Sequence, residues 1–145
     1  MTPPRRSFAP ILLGLALTVG LLALIGYSAS KRRAAESAGA PQLTITKPAR
    51  GETVDSPLAV HFTSTRPISL QPSGWLHGRL HLHANVNDVQ FMPAVTDIRA
   101  LDSMTYSWTL HGVGKGAARL YVGWGDPAHR ELSQGASDTI SVTIR

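Results

Sequence analysis

The 145-residue chain contains no cysteine, and that absence removes several classes together. A disulfide scaffold, a cysteine-based zinc finger, an iron–sulfur protein and a thiol enzyme all need the missing side chain. Charged residues are scarce at 16%, but hydrophobic residues reach 43%. Too much can be buried for a wholly disordered chain, and too few long apolar runs are present for a multi-span membrane protein. Neither Gly-x-Ser-x-Gly nor His-Glu-x-x-His occurs, so no nucleophile elbow or zincin helix is encoded. The sequence offers no residue set for catalysis, and the expectation is a protein that is not an enzyme. Gly112-x-Gly114-x-Gly116 lies between two strand-like runs. It cannot present a helix N-terminus to phosphate and reads as a hairpin turn.

Acidic residues are also few, 9 against 14 Lys plus Arg, for a net charge of +5. The excess is unevenly placed. Residues 1–41 carry +4 and residues 42–145 only +1. A nucleic-acid binder needs its basic stripe on the folded domain, so no nucleic-acid partner is expected.

What is present begins with a run free of formal charge from Ser7 to Ser30. As a helix these 24 residues would extend ~36 Å, enough to cross a hydrocarbon core of ~30 Å. Residues 1–30 therefore read as a membrane segment, with residues 8–30 contacting lipid. Two readings compete. One is an uncleaved anchor, a single transmembrane helix. The other is an export signal, with a basic start, an apolar centre and small residues at Ser28-Ala29-Ser30. Arg5-Arg6-Ser7-Phe8 looks like the twin-arginine export motif. The length of the run and the Lys31-Arg32-Arg33 cluster behind it favour the anchor.

Two basic residues precede the run and three follow it. Counted alone, they would keep the C-terminal part in the cytoplasm by a margin of one. The export-like start and the cysteine-free domain behind a tether argue for the outer side. The expectation is a single-pass protein of a bacterial inner membrane with its C-terminal domain in the periplasm. Residues 31–41, KRRAAESAGAP, have no apolar periodicity and form the tether.

From Gln42 onward the apolar residues recur with period two, interrupted by turn signals. Leu43 and Ile45 open the pattern, and Val60 and Phe62 continue it. Leu76, Leu80, Leu82, Ala84 and Val86 share one parity over a long run. Met104, Tyr106, Trp108 and Leu110 follow, then Leu120, Val122 and Trp124, and finally Ile140, Val142 and Ile144. Shorter strands are expected near 89–92 and 98–101. Six to eight strands in residues 42–145 predict an all-β, antiparallel two-sheet sandwich.

Pro48-Ala-Arg-Gly51-Glu-Thr-Val54-Asp-Ser56-Pro57-Leu-Ala-Val60 resembles the opening of many bacterial immunoglobulin-like domains of the cell envelope. Asp138–Ile144 is similar to their last strand. Leu80-His81-Leu82-His83 resembles a histidine-rich strand of some such domains, although here Gly78 stands three residues before His81. The resemblance implies an immunoglobulin-like sandwich. It leaves function open between a tethered binding module, with another envelope protein as partner, and a metal-handling accessory domain.

The second option rests on histidine. All six histidines lie after residue 60. His77, His81 and His83 share odd parity, opposite the leucine face, and are expected to point to solvent together. Same-face neighbours on a strand lie ~6.6 Å apart, so His81 and His83 could clamp Zn²⁺ or Cu²⁺. His77, ~13 Å from His81 along an extended strand, falls outside that reach. The strand should neighbour residues 118–124, and the loop beyond Trp124 should carry His129 towards the His77 end. The candidate metal ligands are thus His81, His83, His77 and His129, as two loose pairs, with copper or zinc as the ion. The competing reading is that these are ordinary solvated histidines, with no cofactor. His81 and Met92 have the spacing of the first half of the H-x10-M…H-x-M signature of periplasmic copper chaperones. The second half falls on Gly114 and Gly116, which lack ligand atoms.

Overall fold

A computed structural model describes residues 39–145; the segment expected to span the membrane and most of the tether lie outside the described residues. Those described contain eleven strands and no helix. None therefore supplies a helix long and apolar enough to cross a membrane.

The strands form two sheets. The first has the order β1 (Leu43–Lys47), β3 (Leu58–Ser64), β9 (Thr105–Leu110), β8 (Ile98–Ala100). The second has the order β2 (Thr53–Val54), β11 (Ile140–Ile144), β10 (Gly116–Gly125), β6 (Leu80–Val86), β5 (Gly74–His77), β4 (Ser69–Gln71), and β7 (Val89–Phe91) also pairs with β6. All pairings are antiparallel except β2 with β11. This two-sheet arrangement is that of an immunoglobulin-like sandwich, whose sheets read ABED and GFC.

Alternation explains the core. Leu58, Val60 and Phe62 on β3, Tyr106, Trp108 and Leu110 on β9, and Leu120, Val122 and Trp124 on β10 are buried, while the residues between them face outward. Phe62 stacks on Tyr106 at 5.4 Å, and Trp75 meets the same ring edge-on at 6.2 Å. The Tyr106 hydroxyl accepts a 2.7 Å hydrogen bond from the Ile68 amide, which anchors the chain leading into β4.

Three expectations change. The run 76–86 is not one strand: Gly78, with φ 61°, and Arg79 turn it into the β5–β6 hairpin. Met104 precedes β9 and is 37% exposed rather than core. The Gly112–Gly116 segment is not a hairpin, because β9 and β10 belong to different sheets; it carries the chain across the sandwich.

Candidate functional site

The hairpin turn moves His77 to the other face. His77 pairs with Leu80, and Leu76 with His81. Directly opposed residues share a face, so His77 sides with the leucines. Its Nδ1 lies 3.0 Å from the Pro67 carbonyl, and its ring tilts against Trp124 at 6.3 Å. His77 is thereby separated from the other candidate ligands by the thickness of the sheet. His61 and His111 lie elsewhere, on β3 and beyond β9.

His81 and His83 do share the outer face of β6, beside β10. Gly123 stands opposite His83 and Gly125 opposite His81. The face is not wet as expected, because the chain between β10 and β11 covers it. His83 is fully buried and His81 half-buried. The covering segment runs along the edge of β10 that β11 leaves free, with amides of Leu132 and Ser137 donating to the carbonyls of Trp124 and Val122 at 2.8 and 2.9 Å.

Asp126 sets the start of that segment. Its Oδ1 accepts the amides of Ala128 and Arg130 at 2.8 and 3.0 Å, and its Oδ2 accepts Arg130 Nε at 3.1 Å. Burial alone would raise its pKa; the amide bonds and the adjacent guanidinium outweigh burial and hold it below the usual carboxylate range. This tight turn places His129 at φ 57°, a left-handed conformation rarely taken by residues other than glycine. The His129 ring lies 4.7 Å from that of His81 and 5.9 Å from that of His83, nearly parallel to the latter.

Three imidazoles therefore meet where two loose pairs were expected, and His129 arrives at the His81–His83 pair instead of at His77. Their hydrogen bonding is incomplete. Both ring nitrogens of His83 and Nδ1 of His81 are buried without a partner. Each such orphan costs about 1–3 kcal/mol. Burial, followed by repulsion from His129 and His81, pushes the His83 imidazolium pKa down to about 4, so at neutral pH the ring is uncharged and its lone pair free. The rings pack on one another, and among the described residues no three His, Cys, Asp or Glu side chains already converge as a metal cage. Ring rotation must precede any three-imidazole coordination.

Gly125 makes room for this packing. A Cβ there would lie 2.9 Å from both Nδ1 and Nε2 of His83, so any side chain would collide with the ring. Further along the same face, Asn85 donates to Glu131 at 3.1 Å, and Tyr121 bonds the same carboxylate. Burial and Glu131, with a smaller contribution from Asp88, push the Tyr121 pKa up to about 12.

Beside His81 and His129 a cavity of 160 Å³ opens, lined also by Trp75, Met92 and Pro93. Trp75 Nε1 is a further buried donor without a partner. In sequence Gly125-Asp126-Pro127 has the composition of an ordinary turn. The available signal was Gly123-x-Gly125 at outward parity in a strand, a mark of close approach by another group.

No protein-family model and no curated protein matches the chain. Among solved structures, an endo-β-1,4-mannanase from Thermotoga petrophila is similar at 13% identity and a TM-score of 0.46, over 72% of this chain and 20% of that one. Fibronectin(III)-like modules of CbhA from Clostridium thermocellum are similar at 17% identity and a TM-score of 0.39, over 71% of this chain and 94% of that one. The chain thus spans about one-fifth of the mannanase's length.

Proposed function

We propose that the protein is a membrane-tethered, extracytoplasmic binding module whose ligand is a transition-metal ion, held by His81, His83 and His129. The observation that carries this reading is the set of three buried imidazole nitrogens without partners in rings that contact one another. Native interiors pair their buried polar groups, and exceptions mark a functional need or an unfilled ligand position. Imidazole is a borderline-soft ligand suited to copper and zinc. A ring that stays neutral at pH 7 loses no proton on binding either ion. His77, on the other face and bonded to Pro67, takes no part.

The test is an imidazole NMR titration of the full chain in detergent with Zn²⁺, Cu²⁺ and, without oxygen, Cu⁺. Signals of His81, His83 and His129 should move together at micromolar ion while His77 stays still, and His81→Ala/His83→Ala should abolish the change. If none of the three ions moves those signals, the metal reading is wrong. The tether and outward placement rest on the uncharged run 7–30 and the cysteine-free domain. A reporter fused after Arg145 that works only outside the cytoplasm should be active; a silent one overturns the placement.

A further inference from the structure

Resting on the membrane-tethered part of that reading, we infer that the end of the sandwich where the tether joins is a docking surface for anionic lipid. Leu101 and Met104 enter the lipid interface there, and Arg66 and Arg79 meet the headgroups. Hydrogen bonds bring the parts of this end together. The Pro41 carbonyl accepts Trp124 Nε1 at 2.7 Å, and the Gln42 carbonyl accepts the Thr65 amide at 3.0 Å, so the chain joins the domain beside the β3–β4 loop. The Tyr106 hydroxyl, bonded to the Ile68 amide, donates to the Ser103 carbonyl at 3.1 Å, which draws the β8–β9 loop to the same place. The contact of His77 with the Pro67 carbonyl sets the β5–β6 turn, with Arg79, alongside.

Two kinds of side chain are left open to water on these loops. Leu101 and Met104 are 43% and 37% exposed on a single turn. That turn is fixed by its own polar bonds, since Asp102 Oδ1 accepts the amides of Met104 and Thr105, each at 2.8 Å. Its shape therefore does not require the two apolar side chains to be buried. Arg66 and Arg79 are exposed on the flanking loops, and among the described residues neither forms a salt bridge. The acids of this end are engaged, Asp102 with its turn and Asp126 with Arg130. An apolar tip flanked by free cations suits an anionic bilayer, where apolar groups leave water and arginine heads stay at the phosphates. The short link favours lipid over a protein partner. Fully extended, residues 31–38 reach at most ~29 Å, so a membrane segment at 7–30 holds the Pro41 end near the bilayer. Docking is then intramolecular, and a small patch is enough.

The experiment places the full chain, metal-free and isotope-labelled, in lipid nanodiscs of phosphatidylcholine alone or mixed with phosphatidylglycerol. Some headgroups carry a gadolinium chelate. Amide signals of residues 65–66, 78–79 and 101–104 should broaden in the anionic discs, and far less in neutral discs or at high salt. Signals of residues 111–115, at the opposite end of the sandwich, should stay sharp. The docked-to-undocked ratio should fall about fivefold for each of Arg66→Gln and Arg79→Gln, the weight of one cation at an anionic surface. Leu101→Ser/Met104→Ser should lower it about tenfold, because roughly two-fifths of each residue is available for transfer from water. Loop signals as sharp as those of 111–115, in a chain that remains in the disc, overturn the docking inference and leave the tether intact. A concentration-dependent shift of the same signals without broadening by lipid marks a second copy as the occupant and overturns it as well. A chain that enters neither disc overturns the tethered reading, and this inference with it.

Discussion

The contact between Gly125 and His83 yields the sharpest mechanical test. Gly125→Ala would place a methyl group 2.9 Å from both nitrogens of the fully buried His83 ring. Overpacking of this kind costs about 1–3 kcal/mol. Replacing glycine within a strand returns about 0.5–1 kcal/mol of backbone entropy, so the net loss should be roughly 0.5–2 kcal/mol. All three tryptophans lie in the described domain, and Trp108 and Trp124 are buried, so urea unfolding followed by fluorescence reports on it directly. The urea midpoint should fall with an unchanged slope. The cause is then separated by a double-mutant cycle: in a His83→Ala background the added methyl has space, and Gly125→Ala should become neutral or stabilising. That amounts to a coupling of about 1–3 kcal/mol, the overpacking cost itself, within the usual span for residues in contact. Gly125→Ala that leaves the midpoint alone, or adds its full cost in the absence of the His83 ring, would refute the packing described here.

Four other outcomes follow from the same interactions. The folded pKa of His83, about 4, lies below its ordinary 6.5, so the unfolded chain takes up a proton that the folded one refuses. Its contribution is complete above pH 6.5 and is lost as pH falls towards 4, by ~3 kcal/mol; His83→Leu should flatten that slope in pH-dependent urea unfolding while His81, His129, Glu131 and Tyr121 remain in place, and identical slopes would contradict it. Asp126→Ala removes the acceptor of two amides and a guanidinium and should raise amide exchange over residues 126–132; unaltered exchange there would count against its role in placing His129. Tyr106→Phe leaves the buried Ile68 amide without its acceptor and should cost about 1–3 kcal/mol in urea unfolding. Asp55→Ala breaks an exposed pair with Arg145 at 2.8 Å and should leave the urea midpoint nearly unchanged, since exposed ion pairs contribute little.

Much of the sandwich was readable because alternation is local. The parity of Val60 and Phe62, of Tyr106 and Trp108, and of Leu120 to Trp124 is imposed by the pleat on any strand with one dry face, whatever lies across from it. The placement of β6 beside β10 followed once the immunoglobulin-like order was assumed. Parity failed at Gly78-Arg79, where a two-residue turn reversed the chain and transferred His77 to the leucine face. It failed again at Met104, which stands just before β9 and so escapes the alternation.

The candidate site divides along the same line. Sequence alone determined that His81 and His83 would project from one face of one strand, because two residues per repeat allow nothing else. It could not determine that the face would be dry. That depended on where a loop attached some forty residues later would settle, a matter of long-range pairing between Leu132, Ser137 and the free edge of β10. Only the tertiary structure brought His129 onto the pair and gave Gly125 its purpose, because each of these contacts joins segments whose separation along the chain carries no local signal.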